Sequence, residues 1–115
     1  MSTAAGFSFP LAQLREGAMQ VHTVDHTEIV VCRTKHGIYA VDNVCTHAFA
    51  RLCEGRLRGT RLICPLHGAS FDVRDGRVLG APATRALGVH AVSVVDGRVE
   101  ISVKPAESGA AAVQL

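Results

Sequence analysis

Short stretches in which apolar and polar residues alternate recur along this chain, and they predict β-strands joined by tight turns. The clearest alternation follows Asp96-Gly97, where Val99, Ile101 and Val103 are expected to face inward. Because Asp-Gly favours a two-residue hairpin turn, residues 87–95 should pair with this segment. The pattern therefore predicts an antiparallel hairpin near the end of the chain.

Similar but shorter patterns predict further strands upstream, each ended by a turn-forming cluster such as Asp25-His26, Lys35-His36-Gly37 or Asp75-Gly76. These predicted strands are residues 7–14, interrupted by Pro10, then 19–23, 28–33, 38–41, 61–63 and 70–73. No long amphipathic helix and no repeat interrupts the series. The sequence thus predicts an all-β fold, a small antiparallel barrel or sandwich.

Composition adds limits to this picture. With 115 residues, of which 48% are hydrophobic, the chain is long enough for one core and too short for two. We therefore predict one domain over residues 1–103, followed by a flexible tail over residues 104–115. The formal net charge of +2 and the absence of a basic run argue against nucleic acid as a partner.

No apolar run is long enough to span a membrane, and residues 1–6 lack the features of an export signal. A soluble, cytoplasmic protein is therefore expected. Since the cytoplasm keeps thiols reduced, the four cysteines should be metal ligands or free thiols, not a disulfide framework.

Two Cys-His pairs are the strongest chemical signal in the chain: Cys45-Thr46-His47 and Cys64-Pro65-Leu66-His67. Each pair is predicted to lie in a loop between strands, so that two loops converge on one metal centre within a binding segment of about residues 43–83. Two thiolates and two imidazoles suit either a structural zinc ion or an iron–sulfur cluster of mixed ligation. Cys45, His47, Cys64 and His67 are the candidate cofactor and metal ligands.

The two boxes and their neighbours closely resemble those of Rieske-type [2Fe-2S] ferredoxins. The resemblance extends from about residue 13 to residue 103, and it includes further positions: Ala50, Leu52, Gly55, Gly68, Phe71, Asp72, Gly76 and residues 81–83. It implies the small Rieske fold with two cluster-binding loops at one end and one [2Fe-2S] cluster. It also implies that residues 80–83 form a third loop covering the cluster.

Rieske proteins of the respiratory and photosynthetic complexes differ from this chain at informative positions. They carry an extra disulfide-forming Cys in each box, where this chain has Ala50 and Leu66, and they donate Ser and Tyr hydroxyls to the cluster, where it has Ala69 and Phe71. Hydrogen bonds to cluster sulfurs stabilise the more negative reduced state. The missing donors predict a potential near the bottom of the Rieske range, roughly −150 mV.

The family members that share this pattern carry single electrons from a flavoprotein reductase to the terminal oxygenase of an aromatic-ring dioxygenase. The resemblance therefore implies a monomeric electron carrier that is not itself an enzyme. Two alternatives stay open from the sequence: the small Rieske-like subunit of a reductase such as nitrite reductase, and a structural zinc module that binds another protein.

The remaining cysteines and histidines have simpler interpretations. Cys32 is predicted to be a buried apolar thiol. Cys53 lies in the first ligand loop and is predicted to be a bystander, with a redox role or an exchange with a ligand cysteine as the alternative. Four other histidines are expected to lie on the surface or to be satisfied within strands: His22, His26, His36 and His90.

Four arginines lie near the ligand boxes, and Glu54 is the only acidic residue among them: Arg51, Arg56, Arg58 and Arg61. They predict either an ordinary solvated face or a docking surface for acidic partners.

Overall fold

The computed structural model describes residues 6–46, 50–66 and 68–104. These residues form ten strands and two 3-10 turns, which confirms the all-β prediction. The strands are β1 Gly6–Pro10, β2 Met19–Val24, β3 Thr27–Thr34, β4 Gly37–Asp42, β5 Arg56–Arg58, β6 Arg61–Ile63, β7 Ser70–Asp72, β8 Val78–Gly80, β9 Val89–Val95 and β10 Arg98–Ser102. The 3-10 turns are Leu11–Gln13 and Leu52–Glu54.

The strands divide into two antiparallel sheets. One has six strands in the order β1-β10-β9-β4-β3-β2, and the other has four in the order β5-β6-β7-β8. Strands β5 and β8 were not predicted. Segments of three residues carry little alternation, and unlike the equally short β6 and β7 these two strands do not flank the second ligand box. Two hairpins follow the predicted turn chemistry: Asp25 and His26 both have positive φ, as do Asp96 and Gly97, which fits type I′ turns.

The six-stranded sheet curls until its two edges meet. The ring of His22 on edge strand β2 stacks on Phe7 and Phe9 of edge strand β1, with ring centroids 4.1 and 5.2 Å apart. His22 is thus a stacked strand residue, as its default interpretation predicted. The stacking nearly closes a barrel and shields edges that would otherwise be free to pair with other chains.

Strand β3 is buried on both of its faces and separates two hydrophobic clusters. Ile29 and Val31 pack into the barrel core with Val99 and Ile101, which confirms the predicted inward face of β10. Val30 and Cys32 point the other way, into a second cluster. Because successive strand residues point to opposite faces, this one strand connects the barrel core to the core beneath the candidate site.

The second cluster contains Cys45 and Cys64 together with Leu62, Phe71 and the β3 residues. The four-stranded sheet therefore packs its apolar face on the same core that holds the two candidate ligand cysteines. The predicted tail lies outside the described residues from residue 105 onward. Within the described residues, no helix has the length and apolar character needed to cross a membrane.

Candidate metal centre

The two cysteine loops are closed in the same way. The backbone N–H of Cys45 donates to the carbonyl of Ala50 at 2.8 Å, and that of Cys64 donates to the carbonyl of Ala69 at 2.7 Å. Outside these bonds the flanking residues pair as antiparallel neighbours, Val44 with Arg51 in a single bridge and Ile63 with Ser70 in β6 and β7. Each cysteine is therefore the first residue of a loop that leaves a pair of extended segments.

Both cysteine thiols are buried and lie together. Cys45 is 0% exposed and Cys64 is 2% exposed. Burial raises the pKa of the Cys64 thiol, the backbone N–H of Leu66 at 3.4 Å from its sulfur lowers it, and a hydrogen bond with the Cys45 thiol raises it again. The fold thus brings together two candidate ligand cysteines that are 19 positions apart in the sequence.

The two predicted histidine ligands, His47 and His67, lie outside the described residues, as do residues 48 and 49. Among the residues that the structure does describe, no group of three or more His, Cys, Asp or Glu side chains could hold a metal ion. The neighbouring backbone is nevertheless informative. Gly68 has a φ of +74°, a left-handed conformation that glycine adopts without the steric cost paid by other residues.

A second glycine, Gly55, lets the first loop approach the second. A Cβ at this position would overlap the carbonyl oxygen of Ile63 and lie 3.1 Å from the Cδ of Pro65. Only glycine therefore allows the chain after the first loop to run this close to the strand that leads into Cys64. Thr46 adds a link to the segment that follows the third predicted loop, because its Oγ1 donates to the carbonyl of Arg85 at 2.7 Å.

Asn43 anchors the first loop, and sequence reasoning missed it. The residue is completely buried. Its side-chain oxygen accepts the Cys53 N–H at 2.8 Å, while its Nδ2 donates to Glu28 Oε1 at 2.9 Å and contacts the Cys53 sulfur at 3.4 Å. An amide residue at a strand end, two positions before a ligand cysteine, was the available signal. Its role depended on Glu28, fifteen positions away.

The two remaining cysteines, Cys32 and Cys53, are not among the predicted ligands. Cys32 is fully buried in β3, and burial raises the pKa of its thiol to about 12, which confirms the predicted inert apolar thiol. Cys53 is partly buried and held against Asn43, and its predicted bystander role stays a prediction. All four cysteines lie in the described part of the chain, and none forms a disulfide there.

The proposed arginine group is smaller than the sequence suggested. Arg51 Nε pairs with Glu28 Oε1 at 2.9 Å, and its Nη1 pairs with Glu54 Oε2 at 3.1 Å. The sequence offered only Glu54 as a local counter-charge, because Glu28 comes from distant strand β3. Arg51 is therefore neutralised, and three arginines remain on this side of the molecule.

Two of the other histidines are satisfied in the way their default interpretation predicted. The His22 ring stacks on Phe7 and Phe9 where the two edges of the six-stranded sheet meet. His90 Nδ1 accepts the backbone N–H of Lys104 at 3.0 Å, so its Nε2 must carry the proton that faces Asp42 Oδ1 at 2.8 Å. Both ring nitrogens of His90 are thus occupied by structural hydrogen bonds.

Residues 7–98 match the family model of the Rieske [2Fe-2S] domain. The chain belongs to this family. As a Rieske domain it has one Rieske-type [2Fe-2S] cluster as its cofactor, so the predicted cofactor is confirmed and the structural zinc alternative loses its support. The buried, adjacent thiols of Cys45 and Cys64 fit such a cluster, since its cysteine ligands must converge on one site.

Proteins similar to this Rieske protein include ferredoxins of dioxygenase systems. It is 40% identical over 91 residues to the ferredoxin component of the naphthalene 1,2-dioxygenase system of Pseudomonas aeruginosa, covering 79% of this chain and 88% of the relative. The ferredoxin of carbazole 1,9a-dioxygenase from Nocardioides aromaticivorans superposes with a TM-score of 0.83 at 30% identity, covering 89% and 100% of the two chains.

A third similar structure is a complex of reduced oxygenase and oxidised ferredoxin in carbazole 1,9a-dioxygenase. This Rieske protein matches one of its chains with a TM-score of 0.81 at 30% identity, covering 87% of this chain and 94% of that chain. The predicted Rieske ferredoxin fold is thereby confirmed.

Proposed function

We propose that this chain is the ferredoxin component of an aromatic-ring dioxygenase system, carrying single electrons to the terminal oxygenase. The observation that supports this most directly is the 40% identity, over most of both chains, to a protein of that role. The domain holds a cofactor suited to one-electron transfer and is an electron-transfer component, not a catalyst. Its electron donor, in this proposal, is a flavoprotein reductase.

The proposed ligands are Cys45 and Cys64 on one iron and His47 and His67 on the other. The burial of the two cysteines and their contact with each other support this assignment, and each histidine follows a proposed ligand cysteine within the same loop. Neutral imidazoles in place of two thiolates remove negative charge from the cluster site, which raises the reduction potential relative to four cysteines. When bound, the cluster supplies a one-electron couple.

The cluster-binding segment in this proposal is residues 43–83 of a single Rieske domain that spans residues 1–103. Both anchored loops fall inside it, as does the whole four-stranded sheet. We further propose that the protein acts as a monomer in the cytoplasm. Cysteine chemistry supports that compartment, since the cytoplasm keeps thiols such as those of Cys32 and Cys53 reduced.

Two measurements test the proposal. Anaerobically purified protein should absorb in the visible range, contain iron and acid-labile sulfide, and give a reduced-state EPR signal with nitrogen coupling from two histidines. Added to a flavoprotein ferredoxin reductase and a terminal oxygenase of the naphthalene type, it should make substrate oxidation proceed at a rate that depends on its concentration. Colourless, zinc-containing protein would refute the cluster, an EPR signal without nitrogen coupling would refute the histidine ligands, and an intact cluster that never reduces a terminal oxygenase would refute the electron-carrier role.

A further inference from the structure

The outer face of the four-stranded sheet carries three exposed arginines. Leu62 and Phe71 of this sheet are completely buried in the cluster beneath the site. Because side chains alternate along a strand, Arg56 and Arg58 of β5 and Arg61 of β6 point to the opposite face, and all three are exposed. The apolar face is thus used for folding, while the outer face is left to the arginines.

These three positive charges form no ion pair within the described residues, although Asp72 of β7 lies opposite Arg61 in the strand register. By contrast, Arg51 and Arg74 nearby are both paired. Moreover, Arg58 and Arg61 lie directly opposite each other in the antiparallel register of β5 and β6. Like charges in that position destabilise a strand pair, so this arrangement does not help the fold.

The arginine face adjoins the second ligand loop. Arg56 and Glu54 line a surface groove of about 360 Å³ that also includes Cys64, Pro65 and Gly68. On the next strand, Arg61 Nη1 donates to Ser70 Oγ at 2.7 Å, which holds the Arg61 side chain across β7, immediately after that loop. The positive face therefore begins beside a cluster ligand.

An exposed apolar residue lies in the same loop. Leu66 is 47% exposed, and among the large hydrophobic residues that the structure describes only Val94 and Val95, on the other sheet, are exposed to a similar extent. An apolar centre with charged residues around it is the usual arrangement of a protein–protein interface. Leu66 and the three arginines together therefore have the composition of a docking surface.

We propose that Arg56, Arg58 and Arg61, with Leu66 beside them, form the surface that docks on an acidic patch of the terminal oxygenase. This inference rests on the proposed function, and it adds the residues and the sign of the charge. The oxygenase is chosen as the occupant because a similar ferredoxin forms a complex with its oxygenase. Complementary charges bring the partners together faster and place the ligand loop at the contact.

The test is the rate at which reduced ferredoxin reduces an oxidised terminal oxygenase, followed by stopped-flow absorbance over a range of ionic strengths. The test variants are Arg56→Glu/Arg58→Glu and the single variant Arg58→Glu, and Arg98→Glu is the charge-matched control for the single variant. Arg98 lies on β10 of the other sheet, where its Nη2 donates to Ser8 Oγ, and it forms no hydrogen bond or ion pair with a described residue of the ligand loops. Visible spectra establish that each variant holds its cluster.

We expect the double variant to transfer electrons more slowly than wild type by on the order of tenfold or more at low ionic strength. The difference should shrink as salt rises, since the screening length is about 10 Å at 0.1 M. The Arg98→Glu control should change the rate by less than about twofold, because its charge is remote from the contact. If the double variant loses its cluster, Arg58→Gln carries the test, because Arg58 makes no side-chain hydrogen bond or ion pair with a described residue.

Three results would overturn the docking proposal. Equal rates for the double variant and the control would show that position does not matter. A wild-type rate that is independent of salt would show that charge does not matter. Slower reduction of the ferredoxin by the reductase, with unchanged transfer to the oxygenase, would assign the surface to the other partner. If wild-type protein with an intact cluster reduces no oxygenase at any ionic strength, the proposed function itself fails, and the docking proposal fails with it.

Discussion

The backbone N–H of Cys64 donates to the carbonyl of Ala69 at 2.7 Å, so Ala69 closes the loop that holds a proposed cluster ligand. Ala69 is completely buried, and so is Phe71 two residues later. Neither side chain can donate a hydrogen bond. These two positions are therefore the places to restore the donors whose absence predicts a low potential, roughly −150 mV.

We predict that Ala69→Ser and Phe71→Tyr each raise the reduction potential, because a hydroxyl directed at a cluster sulfur stabilises the reduced state. Redox titration followed by visible absorption measures the change. Ser70→Ala is the matched control, since the Ser70 hydroxyl accepts a hydrogen bond from Arg61 on the outer face and should leave the potential unchanged. A wild-type potential well above zero, or no rise in either variant, would contradict the argument.

The proposed ligand set predicts a sharp difference between cysteines. Cys45→Ala and Cys64→Ala should each abolish the visible absorption of the cluster, because each removes a ligand that no other described cysteine can replace. Cys53→Ser should keep the cluster, since serine retains a polar contact for Asn43 Nδ2. Iron and sulfide analysis after anaerobic purification checks all three variants.

His47→Cys or His67→Cys should behave differently from the alanine variants. Where the cluster assembles, its potential should fall, because an anionic thiolate replaces a neutral imidazole.

One outcome would contradict the prediction for the cysteines. Loss of the cluster in Cys53→Ser, with retention in Cys45→Ala, would require Cys53 to be the ligand of the first loop.

Asp72 ties the four-stranded sheet to the loop that follows it. Its side chain is buried, and it accepts bonds from Arg74 Nε at 3.0 Å and Arg74 Nη2 at 2.8 Å, with Arg77 at 3.5 Å. We predict that Asp72→Asn lowers the free energy of unfolding by roughly 1.5–3 kcal/mol, as expected for charge-assisted hydrogen bonds. Chemical denaturation monitored by circular dichroism measures the loss.

Asp75→Asn is the control for that experiment, because Asp75 is exposed, its carboxylate lies 4.0 Å from the Arg77 guanidinium, and asparagine keeps an oxygen that can accept the Arg77 backbone N–H at 3.1 Å. Its effect should stay within about 0.5 kcal/mol. The Arg74 hydrogen bond lowers the pKa of Asp72, so wild type should lose stability as pH falls below the unfolded value of about 3.9. The Asp72→Asn variant should lose less over the same range, and equal slopes would argue against the pairing.

The stacked His22 ring, where β1 and β2 meet, predicts a second pH dependence of stability, at a higher pH than that of Asp72. Burial lowers the pKa of His22, whose ring stacks on Phe7 and Phe9. The unfolded chain therefore takes up a proton on this residue at about pH 6.5, before the folded protein does. Stability should be full above that pH and should fall as the pH decreases toward the folded pKa.

His22→Phe keeps the stacking and removes the titration. Thermal unfolding at pH 7.5 and pH 5.5 should show a smaller difference for this variant than for wild type. His26→Asn is a control in the neighbouring turn, where the ring is exposed and asparagine tolerates the positive φ, and its pH dependence should match that of wild type. An unchanged pH dependence in His22→Phe would mean that another group causes the loss of stability.

The sequence by itself determined the features that depend on residue type and local spacing. Alternation fixed the inward face of Val99 and Ile101, and Asp96-Gly97 fixed a turn, because strand periodicity and positive φ are local properties. The cysteine and histidine types in two short boxes indicated a metal centre, since ligand chemistry is carried by the side chains themselves, and the resemblance of these boxes to those of Rieske-type ferredoxins indicated the cluster.

Only the tertiary structure decided which distant residues meet. Arg51 is neutralised by Glu28, 23 positions away, and Asn43 holds the first loop through that same carboxylate. Likewise, the opposition of Arg58 and Arg61 follows from the register between β5 and β6. Such contacts depend on how strands align and sheets pack, and no local pattern of residues encodes that alignment.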